Sequence, residues 1–487
     1  MSSAPPAALR PLEARKLAPV RQELILNFKA SDVAPTQLPS KGLPVGSNPP
    51  PACYVNNPVV PKHAGYVIRF ACGVQTGSLL ILPNLKPIFP RPLLIFFCFN
   101  MKGVIFEKAG AEPQVVDSLD KPKPSPDQIL VKSIYMAINP VDSLMSSSGM
   151  LVTSWPFVVG CDAAGVVVDV GANAGSKFKV GDEVCGCTRL GTPGHSPAQE
   201  FFLMDAALTM PKPKNISLQQ AATLGVGTWT AALGLYNGLK VKLPDLDDLP
   251  EEKDKDEAAK DDEAPTVEDA TSKAGANESE DSHQTKAEPQ KEDEWIVVLG
   301  GASSVGKYAI QLAQVAGYKV AASCSASSAE LVKDLGAIPF DYKKPLDHQA
   351  KEVMSITSNK PYKIFDAAAA GHPLAMEVFK QLPDSDGEGG EKLFATTNDW
   401  SNIGDFQGGK AYAIALGPIG RAEAKELNDD IAKYAPLIVG LVEKERVLPN
   451  PYDIVGVGGL ESVIEALKYQ QKGAGGSNKV LAKIQDP

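Results

Sequence analysis

The sequence predicts an α/β protein in two parts, a compact β-rich unit followed by a doubly wound parallel sheet. Three observations predict it. Short Val/Ile-rich runs bounded by Pro, Gly or Asp recur from residue 101 to about 240. Beyond residue 294 such runs alternate with segments of helical period, as strand–helix–strand crossovers require. The first of those strands also runs straight into a glycine-rich turn that opens a helix, Leu299-Gly300-Gly301-Ala302-Ser303-Ser304-Val305-Gly306.

Residues 1–100 hold no sustained period and are dense in Pro, Ser and Gly, so they read as a poorly ordered extension or as sequence the functional protein lacks. Leu93 to Phe99 is apolar but falls far short of the ~20 residues of a spanning helix. The Leu/Ile/Phe/Pro-rich sequence before Met101 resembles translated pyrimidine-rich DNA, and the functional protein is expected to begin at Met101. Abundant native peptides from residues 1–90 would refute that. From Met101, strands are expected at Lys102–Phe106, Gln128–Ile134 and Gly165–Val170, with a turn at Gly181-Asp182 entering another strand. Leu218–Leu239 is Ala-rich with helical spacing. Trp295–Leu299 suits a buried parallel strand and Val305–Ala316 an amphipathic helix. Strands follow at Lys319–Ser323, Lys363–Ala367, Lys392–Thr396 and Lys479–Ile484, with helices at Ala329–Leu335, Ala424–Val442 and Val457–Tyr469.

The formal net charge of −10 argues against a nucleic-acid partner. Between Asp245 and Asp293 lie 19 acidic and 6 basic residues, so that segment carries −13 and the remainder +3. With few large apolar residues it cannot offset its ordering entropy, and residues 245–293 read as a disordered, solvated insertion. Seven dispersed cysteines fit reduced thiols in a reducing, cytoplasmic compartment, and no secretory signal or membrane span is read. Cys185-x-Cys187 lacks a second pair, the five histidines show no ligand spacing, and no metal site is expected.

The chemistry is carried by the glycine loop. Glycines let the backbone approach a pyrophosphate, whose charge meets free amides at the helix N-terminus, so Gly301, Ala302, Ser303, Ser304, Val305 and Gly306 are cofactor-binding candidates. Ser304 stands where many such loops carry glycine and predicts a slightly wider turn. An NAD site would place a carboxylate at the end of the second strand. Here that strand ends Ser323-Cys324-Ser325-Ala326-Ser327-Ser328, with no carboxylate before Glu330, which favours NADPH.

Five segments, in this order and spacing, carry a resemblance to the medium-chain dehydrogenase/reductase superfamily from Met101 to the C-terminus. They are Ala137-Ile138-Asn139-Pro140-Val141-Asp142, Val159 to Val167, Phe178 to Val184, Gly227 to Ala232, and the Gly301 loop. The nearest branch resembles zinc-free quinone oxidoreductases and enoyl reductases, especially the fungal trans-acting type. The resemblance implies a GroES-like catalytic domain over residues 101–240, with 445–487 returning to it, and a Rossmann domain over 294–444. Zinc-dependent relatives carry ligands at the positions of Ile138-Asn139 and Gly160-Cys161-Asp162, and a four-cysteine lobe that this chain lacks. The resemblance further implies that Asn139 and Asp142 border the nicotinamide pocket and that Thr230 lies near the nicotinamide ribose. By the same resemblance Ser325, Ala326, Ser327, Ser328 and Tyr342 meet the adenosine phosphate, and Leu416, Lys479 and Val480 close over the cofactor. The expected activity is NADPH-dependent, metal-free hydride transfer to a conjugated enoyl substrate. A quinone or aldehyde reductase and an NADPH-binding interaction protein are the alternatives. Asn139, Asp142 and Ser146 are the pocket candidates; no proton donor is assigned, and water or a serine hydroxyl is expected to serve. The expected partners are a small-molecule substrate and a synthase, with the chain a monomer or homodimer.

Overall fold

The computed structural model describes the backbone of residues 67–68 and 80–81, and residues 100–249, 294–383, 390–403 and 408–487. The expectations for the 1–100 extension, apart from residues 67–68, 80–81 and 100, and for residues 250–293 of the acidic insertion lie outside the described residues. Asp245 to Leu249, grouped with that insertion by composition, are described: Leu246 and Leu249 pack against the core.

The chain divides into two compact units at residues 95 and 96. In the first, β1 (Val67–Ile68) pairs antiparallel with β2 (Leu80–Ile81). The second begins with β3 (Asn100–Phe106), β4 (Gln114–Asp120) and β5 (Gln128–Ile138), then α1 (Pro140–Ser148) and β6 (Phe157–Val158). There follow β7 (Asp162–Val170), β8 (Glu183–Cys187), β9 (Phe201–Asp205) and β10 (Met210–Pro211). β5 is the axis of the catalytic sheet, whose order is β10-β8-β7-β5 and then two strands from the C-terminal end of the chain. One edge of β5 pairs with β7, with register shifts at Leu130/Val131 and Ser133/Tyr135. Its other edge is shared: β9 takes Gln128 to Lys132 and the last strand takes Tyr135 to Ile138. Ten of the eleven β5 residues are buried, as a strand covered on both faces must be. A small sheet, β4-β3-β6, lies outside this one.

The single helix expected over Leu218–Leu239 is broken into α2 (Leu218–Ala221), α3 (Val226–Ala232) and a π turn (Leu233–Gly238). Gly225 makes the break, and a Cβ there would lie 2.0 Å from an Asp162 carboxylate oxygen. Helical continuity gives way to a carboxylate seated on the head of α3.

The parallel sheet comprises β11 (Trp295–Leu299), β12 (Lys319–Cys324), β13 (Ile338–Asp341), β14 (Lys363–Asp366), β15 (Leu393–Thr396) and β16 (Lys410–Ala413). Its order is β13-β12-β11-β14-β15-β16, every pairing parallel. The connecting helices are α4 (Ser304–Val315), α5 (Ala329–Asp334), α6 (Leu346–Ile356) and α7 (His372–Phe379), followed by α8 (Lys425–Glu443). α6 and α7 build one core layer with Val297, Leu299 and Phe340, while α4 and α8 contribute to the other. The strand order reverses between β11 and β14, and ligands of such sheets sit at the strand ends beside that point.

The chain then returns to the catalytic sheet through β17 (Tyr452–Ile454), α9 (Glu461–Gln471) and β18 (Lys479–Lys483). The last helix starts four residues later than its periodicity suggests, because Gly456, Gly458 and Gly459 all adopt positive φ and leave Val457 fully exposed. Among the described residues no helix is long and apolar enough to cross a membrane.

Candidate cofactor site

The glycine loop lies at the carboxyl end of β11. Gly300 takes φ +87°, a left-handed turn that glycine adopts without strain. A Cβ on Gly306 would lie 2.1 Å from the Gly300 carbonyl oxygen, so the first turn of α4 is pressed onto the loop. The Ser303 hydroxyl caps α4 by accepting from the Gly306 amide at 3.0 Å. Other first-turn amides, among them Ser304 and Val305, have no intrahelical acceptor and offer donors to an anion. Ser323, at the end of β12, holds the turn from below: its hydroxyl accepts from Gly300 N (2.8 Å) and its carbonyl from Gly301 N (2.8 Å). These close contacts and donors fit the diphosphate of a dinucleotide.

Ser304 is engaged outside the loop. Its hydroxyl turns away from the glycines and accepts from Asn450 Nδ2 at 2.7 Å, the Ser304 carbonyl accepting from the same amide at 3.2 Å. This is one rung of a polar ladder along α4. Tyr308 OH accepts from Asn450 N (3.1 Å), Gln311 bonds both backbone groups of Leu448 (2.7 and 3.3 Å), and Lys307 Nζ donates to the Ser477 carbonyl. Residues 304, 307, 308 and 311 share one helix face, and that face bolts the parallel-sheet domain to the returning chain.

Beyond β12, the hydroxyls of Ser325, Ser327 and Ser328 converge, with Ser325 Oγ 2.9 and 3.2 Å from the other two. Ala326 and Ser327 are exposed, and Tyr342 follows β13, the strand next to β12, with half its surface open. Thr230 is buried on α3, Leu416 is buried beyond β16, and Val480 is buried on β18.

A second constellation gathers residues far apart in sequence. Asn139 ends β5 and precedes α1, Asp162 opens β7, and Lys479 opens β18; all three are buried. Lys479 Nζ donates to Asn139 Oδ1 at 2.5 Å and to Asp162 Oδ2 at 3.1 Å. Asp162 also accepts from Asn139 Nδ2 (2.9 Å) and, through Oδ1, from Val226 N (2.7 Å). Asp142, on the first turn of α1, accepts from Asn139 N (2.8 Å) and lies 3.6 Å from the Cys161 thiol. Burial, reinforced by the Asp162 charge, lifts the Asp142 carboxyl to about 7. Ser146 is buried on the same helix, its hydroxyl turned back to the Ser143 carbonyl.

Cys161, Asp162 and Cys187 offer three ligand atoms within 4.8 Å of one another. Reading the sequence set Cys161 apart from Cys187, because only the β7–β8 register, which places Cys187 opposite Asp162, unites them. The donor chemistry does not fit a metal. Both Asp162 oxygens are engaged, an ammonium already neutralises that carboxylate, and the two thiols contact each other with pKa values raised, Cys161 chiefly by that contact and Cys187 chiefly by burial. Lys479 and Asp162 were the parts hardest to foresee. The first was expected only as a cover for the cofactor and the second only as part of a motif.

Residues 125–230 match the family described as the alcohol dehydrogenase GroES-like domain. The trans-enoyl reductase TOXD of Cochliobolus carbonum is 32% identical over 273 residues, spanning 54% of this chain and 74% of that protein. The chain belongs to the medium-chain dehydrogenase/reductase superfamily, in its enoyl reductase branch. This medium-chain reductase is also similar to the enoyl reductase component of the lovastatin nonaketide synthase, lovC, of Aspergillus terreus. The identity there is 26% over 385 residues, covering 74% of this chain and 90% of that one. Its fold matches that of a mycobacterial protein solved with NADPH, with a TM-score of 0.54 and 18% identity, over 79% of this chain and 99% of the other. The reductase is accordingly an oxidoreductase in class.

Proposed function

We propose that this reductase uses NADPH to reduce a small conjugated enoyl substrate, without a metal. The observation that carries the reading is the buried Lys479 ammonium, fixed by Asn139 Oδ1 and Asp162 Oδ2. It occupies the corner where zinc-dependent relatives hold their ion, so the positive charge of that corner is supplied by an amine of the chain itself. When bound, the dinucleotide supplies the hydride. The glycine loop and the first turn of α4 hold the diphosphate, while Asn139 and Thr230 border the nicotinamide end. Below pH about 7 the Asp142 carboxyl retains a proton beside the Cys161 thiol, and burial of both keeps bulk water from that corner.

The choice of NADPH over NADH is supported by the Ser325, Ser327 and Ser328 hydroxyls and by the lack of any carboxylate between Ser323 and Glu330. The fold neighbour solved with NADPH agrees with it. The enoyl class follows the named activity of TOXD, and the naming of lovC as a synthase component makes a synthase-borne acyl chain the partner that fits. The test is NADPH oxidation by the purified full chain, offered an enoyl thioester, a quinone and an aldehyde, with and without prior chelation. Rapid, chelator-resistant turnover of the thioester is expected. Turnover confined to the quinone or the aldehyde would refute the substrate class. Loss of activity on chelation would refute metal independence, and tight NADPH binding with no turnover would point to an interaction protein.

A further inference from the structure

A groove of about 660 Å³ opens on the catalytic unit, and none of its lining residues belongs to the cofactor site or to the corner at Asn139. One wall is β4, from Val115 to Ser118. The other is the chain entering α9, from Gly459 to Glu461, with Ile484 and Gln485 just beyond β18. β4 ends the β4-β3-β6 sheet, and among the described residues it pairs with β3 alone. Successive side chains of a strand point to opposite faces, so a cavity bordered by four consecutive residues runs along the strand's edge rather than over one face. The outward amides and carbonyls of that edge therefore address the groove, an open template for a further strand. The groove also has a sign. Asp117, Glu200 and Glu461 line it against the single ammonium of Lys102, and among the described residues none of these carboxylates is in an ion pair. Glu200 spends one oxygen on the Lys102 backbone amide at 2.8 Å. Leu460 and Ile484 give the groove an apolar floor, and Val457, two positions before Gly459, is fully exposed.

We propose that this groove docks an extended, lysine- or arginine-bearing segment of a partner protein, which adds to β4 as a fourth strand of the small sheet. The backbone edge gives the main-chain hydrogen bonds, and the groove selects among side chains, the division of labour of strand-addition sites. Cationic side chains of the incoming strand meet Asp117, Glu200 and Glu461, while apolar ones cover Val115 and Leu460. Opposite charges on paired strands stabilise the pairing and like charges weaken it. That rule disfavours a second copy of this chain as the occupant. Asp117 is the middle residue of β4, so centred antiparallel pairing of two copies sets the two Asp117 carboxylates face to face. The same carboxylates repel nucleic acid and anionic membrane. The inference is independent of the dinucleotide reading and of the substrate.

The experiment pans random octapeptides displayed on phage against the immobilised full chain, with the Asp117→Lys, Glu461→Lys double variant as the counter-target. Both positions are exposed, so the double variant should melt with the wild type by circular dichroism. Enriched sequences are expected to alternate β-branched or aromatic residues with Lys or Arg. The most enriched peptide, synthesised and followed by fluorescence anisotropy, should bind the double variant roughly tenfold or more weakly, and its binding to the wild type should weaken as salt is raised. Methylating one or the other set of alternate peptide nitrogens removes main-chain donors and keeps the side chains. For the set that faces β4 the loss should again be roughly tenfold or more. No enrichment, enrichment of acidic sequences, or equal binding to the double variant would overturn the proposal. Affinity undiminished by methylation of either set would overturn strand addition. Self-association of the wild type in sedimentation, changed in the double variant, would assign the groove to a second copy and overturn the partner.

Discussion

The ion pair between Lys479 and Asp162 gives the sharpest test of how the buried corner at Asn139 is built. Their side chains are 4% and 0% exposed, with Nζ and Oδ2 3.1 Å apart, so solvent does not screen them. Lys479→Met keeps most of the side-chain volume and removes the charge. Asp162 is then left buried with only the Asn139 amide (2.9 Å) and the Val226 backbone amide (2.7 Å) as donors. Stripping one partner from a buried pair costs about 3–5 kcal/mol. Loss of the ammonium also pushes the Asp142 carboxyl above its present value of about 7, since Lys479 is one of the groups holding it down. Asp162→Asn should likewise destabilise by about 2–4 kcal/mol, because Lys479 then keeps neutral acceptors but loses its counter-charge. The double variant leaves neither charge, so its loss should be smaller than the sum of the two single losses by at least about 2 kcal/mol. Urea unfolding midpoints at pH 8, read by fluorescence and by circular dichroism, measure all three. A Lys479→Met loss below about 1 kcal/mol, or simple additivity in the double variant, would show that the pair does not hold this corner together.

Three further outcomes follow from the same geometry. The Asp142 carboxyl is raised from 3.8 to about 7, so the folded chain holds a proton the unfolded chain has released. The associated stability is full in acid and declines as pH rises through about 7, by up to roughly 4 kcal/mol. Asp142→Asn should flatten that part of the profile, and parallel pH profiles of thermal unfolding for variant and wild type would contradict the assignment. Gly306→Ala forces a Cβ to within 2.1 Å of the Gly300 carbonyl oxygen, so fluorescence titration should find dinucleotide binding lost or severely weakened; unchanged affinity would mean the loop has slack it does not show. Ser325→Ala with Ser327→Ala should lower NADPH affinity roughly tenfold while sparing NADH, and an equal loss for both would remove the serine argument for the 2′-phosphate.

The parallel sheet was legible because its strands are short, β-branched and punctuated by helical periods, and because the turn from Leu299 to Gly306 is a local pattern. Local patterns mislead where a distant group intrudes. Leu218 to Leu239 has an unbroken helical texture, yet the Asp162 carboxylate, some sixty positions earlier, takes the place a Cβ would need at residue 225. Val457 looked helical by its apolar neighbours, but three positive-φ glycines postpone α9. The buried corner at Asn139, Asp162 and Lys479 is non-local by construction. Cys161 and Cys187 meet only through the β7–β8 register, and Lys479 reaches Asn139 only because β18 pairs with β5. No spacing rule links positions 139, 162 and 479. Ser304 shows the opposite case: a local departure from the loop pattern whose compensation, Asn450, lies 146 residues away.

That compensation bears on how the two domains work together. In many two-domain enzymes the parts move about a flexible connection as ligand enters. Here the connection that returns the chain to the catalytic sheet is itself tied to α4. Ser304, Tyr308 and Gln311 fix Asn450 and Leu448, and Lys307 holds Ser477. A Cβ on Gly227 would lie 2.7 Å from Ser304 Oγ, so the head of α3 is also close against α4. The glycine loop and the Lys479 corner are thus joined through α4 by two short runs of hydrogen bonds, one ending at Asn450 and one two residues from Lys479. Opening that separates the loop from β18 must break these buried polar contacts. Arg421 adds a further tie, its guanidinium donating to the carbonyls of Leu151 and Leu190 at 3.1 and 3.2 Å.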